Sequence, residues 1–234
     1  MQDALEEAIA AIAGHPVNVV AAGRTDAGVH ALSQVVHFDA EVARPQSAWV
    51  RGANTQLPAA AAILWAQEVA DDFHARFSAT ARHYTYLLEN RPQRLGLRSG
   101  RAGWYHHPLE LEAMQSAVAA LLGTHDFTSF RAAECQAKSP VRTMTRAVVE
   151  RHGDIVRFDF SANAFLHHMI RNIVGALVAI GSGRMPATWI GELLEARDRT
   201  QGAATFAADG LYFAGADYDV RFGLPSTVRN ISVT

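Results

Sequence analysis

The order of helical and extended segments constrains the fold of this chain more than any other feature of its sequence. Apolar residues recur at helical spacing up to Gly14, with Asp3 placed to cap the helix, and two short apolar segments follow at residues 17–22 and 34–38. The second half repeats this order of one helix followed by two strands. The repetition predicts an α+β fold with two lobes whose sheets join.

The second half contains the longer predicted elements. A helix is expected at about residues 109–122, followed by strands at about 143–151 and 155–161. A long helix at about residues 165–180 carries its apolar residues on one side and is expected to pack on a sheet. The remaining predicted elements are strands at residues 63–69, 82–89 and 210–218 and a short helix at residues 189–197.

No linker of low complexity marks the boundary between the two lobes. The pattern places this boundary between Asp71 and Arg82, so we expect an N-terminal lobe of residues 1–75 and a C-terminal lobe of residues 76–234. The N-terminal lobe would then contain the loop that carries Asp26.

Composition limits the class of protein. With 234 residues, of which 49% are hydrophobic and 19% charged, the chain can form one sizeable core or two smaller ones. Its apolar stretches end well short of the roughly 20 residues that a membrane span needs, and no basic and apolar leader opens the sequence. The single cysteine, Cys135, cannot form an internal disulfide and is expected to be a buried free thiol. We therefore expect a cytoplasmic protein.

The arginines of the chain are clustered. Residues 76–101 contain six arginines and one acidic residue, Glu89, although the net charge of the whole chain is −2. Arginine grips phosphate bidentately and stacks on bases, so this cluster is typical of a surface that binds RNA. A genome that favours arginine codons would explain why Lys138 is the only lysine, but not the clustering. The six arginines are Arg76, Arg82, Arg91, Arg94, Arg98 and Arg101.

The sequence lacks the fingerprints of common cofactor sites. The segment GSGRMP at residues 181–186 has neither the lysine nor the spacing of a phosphate-binding loop. Two pairs of adjacent histidines occur, but neighbours on a helix or strand diverge and do not converge on one ion. We therefore expect no nucleotide, redox or metal cofactor. The two pairs are His106 with His107 and His167 with His168.

Asp26 is the acidic residue of the loop from Gly23 to Gly28, between two predicted strands. Glycines at both ends allow the backbone to approach a ligand closely, so the carboxylate could act on a substrate. An ordinary Asp-Ala-Gly turn is the alternative. Arg24 could favour the ionised form of a nucleophilic carboxylate, or it could form a surface ion pair. The loop alone does not decide between these interpretations.

Two further pairs of residues are candidates for the same site. Tyr84 and Tyr86 share one face of a predicted strand, and periodicity does not distinguish which of them faces a cleft. His168 and Arg171 are three residues apart on the long predicted helix and form a polar edge beside its apolar stripe. A structural tyrosine and a solvated helix flank are the alternatives.

Five collinear segments together resemble the tRNA pseudouridine synthase A family, and the resemblance covers nearly the whole chain. They are AGRTDAGVHA, FHARFSATARHYTY, GTHDFTSFRA, ANAFLHHMIRNIVGAL and DGLYF. The resemblance implies the pseudouridine synthase fold, in which mixed, mainly antiparallel sheets join around a central RNA-binding cleft and helices pack on the sheets. It also implies isomerisation of uridines at positions 38–40 of the tRNA anticodon stem-loop to pseudouridine, without a metal or other cofactor.

The resemblance assigns roles to the candidate residues. Asp26 corresponds to the catalytic nucleophile, and Tyr84 to the residue that stacks on the target uracil. Arg171 corresponds to the basic residue that pairs with the aspartate, and Arg24 is expected to help hold the RNA. The residues expected to contact the substrate are Tyr84, Arg24, Arg171, Arg82 and His168.

The start of the chain departs from the family pattern. Members normally begin with a strand and a loop containing glycine and tryptophan, whereas this sequence starts almost directly at the first helix. We expect an unpaired sheet edge, with lower stability and an effect on activity. Members are generally homodimers in which one tRNA contacts both subunits, so we expect a homodimer.

Two functions compete with the isomerase. One is a tRNA-binding or RNA-folding module that has lost or reduced catalysis because the first strand is missing. The other is an Asp/His hydrolase of small phosphorylated substrates, which would depend on a metal and fits the sequence less well.

Overall fold

The structure is a computed structural model that describes residues 1–232. In chain order its helices and strands are α1 (Gln2–Ala13), β1 (Val20–Ala21), β2 (His30–Ala31), β3 (Val36–His37), β4 (Ala79–Asn90), β5 (Gly103–Tyr105), α2 (Leu111–Val118), β6 (Gly123–Asp126), β7 (Val141–His152), β8 (Ile155–Ala162), α3 (Met169–Gly181), α4 (Trp189–Ala196) and β9 (Leu211–Tyr218). Short 3₁₀ turns and one π-helical turn, Ala48–Gly52, lie between them.

These elements fall into two compact units. The first comprises Met1–Arg24, Gln34–Ala79 and Tyr218–Thr227, and the second comprises Thr25–Ser33, Thr80–Asp217 and the segment from Val228 onward. The units differ from the expected lobes of residues 1–75 and 76–234, because the loop with Asp26 belongs to the second unit. The reason is a non-local strand pair: β2, directly after this loop, pairs in parallel with β9, so that His30 lies opposite Tyr212.

In the first unit, α1 packs on a small sheet in which β1 pairs antiparallel with β3. The helix ends as predicted at Gly14, which has a φ of +78°. The prediction that Asp3 caps the helix is wrong, because the N-cap is Met1 and Asp3 lies in the first turn. The cluster that joins helix and sheet contains Ile9, Ala13, Val17 and Val19.

The strand predicted at residues 63–69 is not formed, because these residues have no regular secondary structure. The side chain of Asn54 accepts a hydrogen bond from the backbone N–H of Ile63 at 2.7 Å and donates one to its carbonyl oxygen at 2.9 Å. A side-chain amide therefore satisfies the groups of Ile63 that a neighbouring strand would otherwise pair.

The second unit is built on a sheet of seven strands in the order β2-β9-β4-β8-β7-β6, with β5 paired to β4. The pairs β4 with β8, β8 with β7 and β7 with β6 are antiparallel, whereas β2 with β9 and β4 with β5 are parallel. Tyr84 of β4 lies opposite Phe160 of β8. The predicted α+β class with a mixed, mainly antiparallel sheet is confirmed.

Three helices and the sheet of the second unit share one hydrophobic core, to which α2, α3 and α4 contribute. Every residue of α3 is buried except Arg171. The helix begins at Met169 and not near residue 165, because its N-cap, His168, has the left-handed conformation with φ +59°. His168 therefore precedes the helix, and its predicted placement on the helix is corrected. In residues 1–232, no helix is long and apolar enough to cross a membrane.

Candidate active site

Asp26 lies in the turn that precedes β2. The backbone N–H of Val29 donates to the carbonyl oxygen of Asp26 at 3.0 Å and closes this turn. Gly28 has a φ of +82°, and a Cβ at this position would lie 3.2 Å from Asp209 Oδ1 and 3.3 Å from Ala208 Cβ. A glycine is needed here for both its conformation and its close approach to the neighbouring segment. The backbone of Asp26 thus shapes a turn, which leaves its side chain available for another role.

The Asp26 carboxylate is surrounded by three nitrogen donors from the start of α3. Its Oδ1 lies 3.2 Å from His167 Nε2, and its Oδ2 lies 3.3 Å from His168 Nε2 and 3.7 Å from Arg171 Nη1. These are its ion-pair partners in the part of the chain that the structure describes. The side chain of Asp26 is 32% exposed, so a substrate can still reach the carboxylate.

The two adjacent histidines converge, and the prediction that such neighbours diverge is wrong for this pair. Their ring centroids are 4.0 Å apart with the planes at 34°. That prediction assumed helical or extended backbone, whereas His168 is left-handed. The backbone of His167 is fixed on both sides, since its N–H donates to Cys135 Sγ at 3.4 Å and its carbonyl accepts from Ala132 N–H at 3.0 Å.

His167 is a site residue that the sequence reasoning did not identify. Its adjacency to His168 was a signal, but only the left-handed backbone turns both rings toward one carboxylate. Burial lowers the pKa of His168 below its ordinary value of 6.5, and the nearby His167 and Arg171 add to this effect. The carboxylates of Asp26 and Glu134 oppose it only in part.

The guanidinium of Arg171 is held from two sides. Its Nε donates to the carbonyl oxygen of Phe206 at 2.8 Å, while its Nη1 faces Asp26. The backbone N–H of Phe206 in turn donates to the carbonyl oxygen of Arg171 at 3.2 Å. These reciprocal bonds attach the segment before β9 to the first turn of α3 and fix the position of the charge.

A polar network fixes the same segment on α3. The buried Asn172 accepts hydrogen bonds from Thr205 Oγ1 at 2.7 Å and from Arg199 Nη2 at 3.1 Å. Gly175 allows close contact one turn later, because a Cβ there would collide with the carbonyl oxygen of Ala204. The segment that positions Arg171 is thus bonded to the side chain of Asn172 at one point and packs closely on the helix at Gly175.

Tyr84 approaches the site from β4. Its ring packs edge to face on Phe165 and Phe213, with centroids 5.0 and 5.1 Å away. Burial raises the pKa of Tyr84 to about 12; the charge of Arg82 opposes the rise and that of Asp26 adds to it. The phenol is therefore protonated at neutral pH.

Tyr86, on the same strand face, has a different environment. Its side chain is fully buried in the main core, and its hydroxyl donates to the carbonyl oxygen of Ala207 at 2.9 Å. Of the two tyrosines that periodicity left open, Tyr86 is a core residue, and Tyr84 is the one whose pKa responds to the Asp26 charge.

The remaining basic residues occupy different surroundings. Arg24 is an exposed residue of the first unit, and Arg82 donates from Nη1 to the carbonyl oxygen of Asn163 at 3.0 Å. In the arginine cluster, the fully buried Glu89 pairs with Arg91 at 2.6 Å and with Arg98 at 3.5 Å. Two of the six arginines are therefore engaged by a buried carboxylate, which reduces the positive charge that this cluster offers to RNA.

Two features of this site could accommodate a ligand. An open cavity of about 560 Å³ lies beside His168 and is lined also by Glu134 and Arg199. In residues 1–232, one group of three metal-ligand side chains occurs, formed by Asp26, His167 and His168 with their donor atoms within 4.8 Å of one another. The geometric reason for expecting no metal at the histidine pair therefore does not hold.

Comparison with known proteins identifies the family. A family model described as tRNA pseudouridine synthase matches residues 1–78 and 117–219. The chain belongs to the tRNA pseudouridine synthase family. The matched residues include Asp26 and the start of α3, whereas Tyr84 lies in the stretch between the two matched ranges.

Individual members of the family are similar over nearly the whole chain. The tRNA pseudouridine synthase A of Dechloromonas aromatica is 61% identical over 225 residues, which cover 96% of this chain and 86% of that protein. The protein of the same name from Methylobacillus flagellatus is 58% identical over 233 residues, covering 100% of this chain and 89% of that protein. The predicted family, and with it the assignment as an isomerase, is confirmed.

Proposed function

We propose that this protein isomerises uridines at positions 38–40 of the tRNA anticodon stem-loop to pseudouridine, with Asp26 as its nucleophile. The observation that carries the proposal is a partly exposed carboxylate contacted by Arg171 and two imidazoles. Relatives up to 61% identical are named tRNA pseudouridine synthase A, which supports the reaction. The choice of the anticodon stem-loop rests on the resemblance of the five sequence segments.

The reaction rearranges uridine without net loss of atoms. The bond between N1 and the ribose C1′ breaks, the uracil turns within the site, and a bond between C5 and C1′ forms. C5 loses its hydrogen as a proton, and N1 gains a proton. Asp26 supplies the electron pair for a covalent adduct with the base or the sugar and is released when the new bond has formed. Because the detached base must not escape, the site must hold it and exclude water.

The groups around Asp26 orient it for this attack. Arg171 balances the negative charge of the free carboxylate, and imidazole N–H groups can each hold one of its oxygens. Arg171 is itself fixed by the carbonyl oxygen of Phe206, so its guanidinium does not need to move during the reaction. His167 and His168 act in this proposal as positioning residues.

Tyr84 is proposed to stack on the target uracil. Phe165 and Phe213 fix the orientation of its ring before the substrate binds, so little side-chain entropy is lost when a base stacks on it. With a pKa of about 12, its hydroxyl remains a hydrogen-bond donor throughout the physiological range.

Basic residues are proposed to bind the RNA backbone. Extruding a base from folded RNA costs a few kcal/mol, which phosphate contacts can offset. Arg24, Arg94 and Arg101 are exposed and suited to this role, and Arg82 lies on the strand of Tyr84. We further propose that two copies of the chain bind one tRNA, as the resemblance implies, and that the protein is cytoplasmic, as its composition indicates.

The proposal is tested with an unmodified tRNA transcript that carries tritium at uridine C5. Only pseudouridine formation exchanges this atom with solvent, so the wild-type chain should release tritium. Asp26→Asn should abolish release while tRNA binding remains, and Asp39→Asn, which changes an exposed carboxylate in the first unit, should retain full activity. Binding without release by the wild type would favour the RNA-binding module, and release by Asp26→Asn would refute the nucleophile.

A further inference from the structure

Two imidazoles and one carboxylate meet at the start of α3, and this donor set suits a divalent transition metal. Imidazole nitrogen is a good ligand for Zn²⁺, Co²⁺ and Ni²⁺, whereas Mg²⁺ prefers oxygen ligands and retains its water. The donor atoms of Asp26, His167 and His168 all lie within 4.8 Å of one another. The sequence alone gave no reason to expect this, because adjacent histidines converge only through the left-handed backbone of His168.

The distances within the group are close to those of a coordinated ion. Ligand atoms about 2.0–2.1 Å from a tetrahedral Zn²⁺ lie about 3.3 Å from one another. His167 Nε2 already lies 3.2 Å from Oδ1 of Asp26, and His168 Nε2 lies 3.3 Å from the other oxygen, Oδ2. An ion would take the place of hydrogen at the two Nε2 atoms, with the ring hydrogens on Nδ1. All three donor atoms lie within 4.8 Å of one another, and small rotations of the imidazole rings can shorten the separations that exceed the ideal edge.

The backbone that carries the three donors is fixed before any ion binds. His167 is bonded at its N–H and its carbonyl, His168 accepts the first hydrogen bond of α3 from Asn172 N–H at 2.9 Å, and Asp26 is fixed in its turn. Little conformational freedom is therefore lost when an ion is captured, and this favours binding.

Arg171 limits the affinity of the site. Its guanidinium lies 3.7 Å from Asp26 Oδ2 and is tethered to Phe206, so it cannot move far from an incoming cation. Oδ2 is the oxygen that pairs with this charge, whereas Oδ1 pairs with His167, so Oδ1 is the better ligand. With three protein ligands and a nearby cation, binding should be reversible and weaker than at a closed structural zinc site.

We propose that Asp26, His167 and His168 bind a divalent transition-metal ion such as Zn²⁺, and that the ion inhibits the enzyme reversibly. An ion bound to the carboxylate draws electron density from both oxygens and occupies the space beside them, so Asp26 becomes a poorer nucleophile and the substrate is kept away from it. The inhibition rests on the proposed function of Asp26, whereas the binding site itself does not. The ion is thus an inhibitor and is not a cofactor of the isomerisation.

Metal binding is measured first, independently of activity. Co²⁺ is added to the 234-residue chain and its visible absorption is recorded, and Zn²⁺ and Mg²⁺ are then tested as competitors. Zn²⁺ should displace Co²⁺, and millimolar Mg²⁺ should not. His167→Gln and Asp26→Asn should each weaken Co²⁺ binding by at least about tenfold. The matched control is His106→Gln with His107→Gln, a second pair of adjacent, tilted rings with centroids 3.9 Å apart, and it should bind within about twofold of the wild type.

Activity is measured second, as tritium release with and without Zn²⁺. Zn²⁺ should abolish release by the wild type and by the His106/His107 control, and a chelator should restore it. Equal Co²⁺ binding by wild type, His167→Gln and Asp26→Asn would overturn the site. Binding at the site with release that Zn²⁺ does not change would overturn the inhibition. Binding at the site by a chain that releases no tritium at all would refute the proposed function and leave the metal site supported. Circular dichroism spectra that match the wild type establish that the variants are folded.

Discussion

Gly175→Ala tests whether the segment before β9 positions Arg171. Gly175 lies in the middle of α3, where a new Cβ would collide with the backbone carbonyl oxygen of Ala204. A backbone atom cannot move aside as the end of a flexible side chain can. We therefore expect the segment to shift away from α3 and to weaken the hydrogen bond from Arg171 Nε to Phe206, two residues further along the chain.

Opposing effects determine how much Gly175→Ala changes the free energy of unfolding. Alanine improves helix propensity over glycine by about 1 kcal/mol. Overpacking in a buried core costs about 1–3 kcal/mol, which at its lower limit cancels that gain. Loss of a hydrogen bond from a charged donor adds about 1.5–3 kcal/mol. The free energy of unfolding should therefore fall by at least about 1.5 kcal/mol, and Tm by at least about 3 °C for a chain of this size.

The assay pairs thermal and urea unfolding with tritium release, and Gly191→Ala is the matched control. Gly191 also lies within a helix, α4, but a Cβ there would meet no atom within 4 Å. The control should be as stable as the wild type or up to about 1 kcal/mol more stable, with unchanged activity. If Gly175→Ala is as stable and as active as Gly191→Ala, the close contact between α3 and Ala204 does not position Arg171, and the reasoning is refuted.

Three further predictions concern single side chains. Tyr84→Phe should retain more tritium release than Tyr84→Ala, because stacking needs the ring; equal loss would instead implicate the hydroxyl. Affinity for tRNA should fall steeply with salt, and the slope should be smaller in Arg94→Gln. Arg91→Gln should instead destabilise the fold by about 1.5–3 kcal/mol, because it removes the nearer partner of buried Glu89 and leaves the more distant Arg98. Because the pKa of His168 is lowered in the folded state, folding favours its neutral form. The resulting stability is fully present above pH 6.5 and is lost as the pH falls through the lowered pKa. The free energy of unfolding of His168→Gln, measured with urea, should therefore fall less on acidification than that of the wild type.

The parts of the fold that local pattern determines were predictable. Strong periodicity predicted α1 with its end at Gly14 and the long strands β4, β7, β8 and β9, whereas the short strands β2, β5 and β6 were not predicted. One predicted strand fails because a side chain replaces a backbone partner. Residues 63–69 have strand-like composition, yet Asn54 pairs with the backbone of Ile63, and no strand forms. The composition of residues 63–69 indicates their strand propensity, but it does not show that an amide nine residues earlier pairs with their backbone.

The candidate site was predictable in its residue types but not in its geometry. Asp26, Tyr84 and Arg171 could be named from the resemblance, while His167 could not. Its role depends on one left-handed residue, His168, which periodicity assigned to the helix. The left-handed conformation costs energy for any residue with a side chain, so it persists only where tertiary packing enforces it. The neighbouring sequence therefore does not indicate that His168 adopts this conformation.

The site is assembled from segments that are far apart in the sequence, and this explains why so much of its support lies outside it. Asp26 and His167 are separated by 141 positions and meet because β2 pairs with β9, whereas α3 is anchored in the core. Arg171 is the one residue of α3 that is not fully buried, and its charge is compensated by Asp26 on one side and a carbonyl oxygen on the other. Asp26 and Arg171 therefore compensate each other's charge at the edge of the core, so the ion pair that orients the Asp26 carboxylate also stabilises the start of α3.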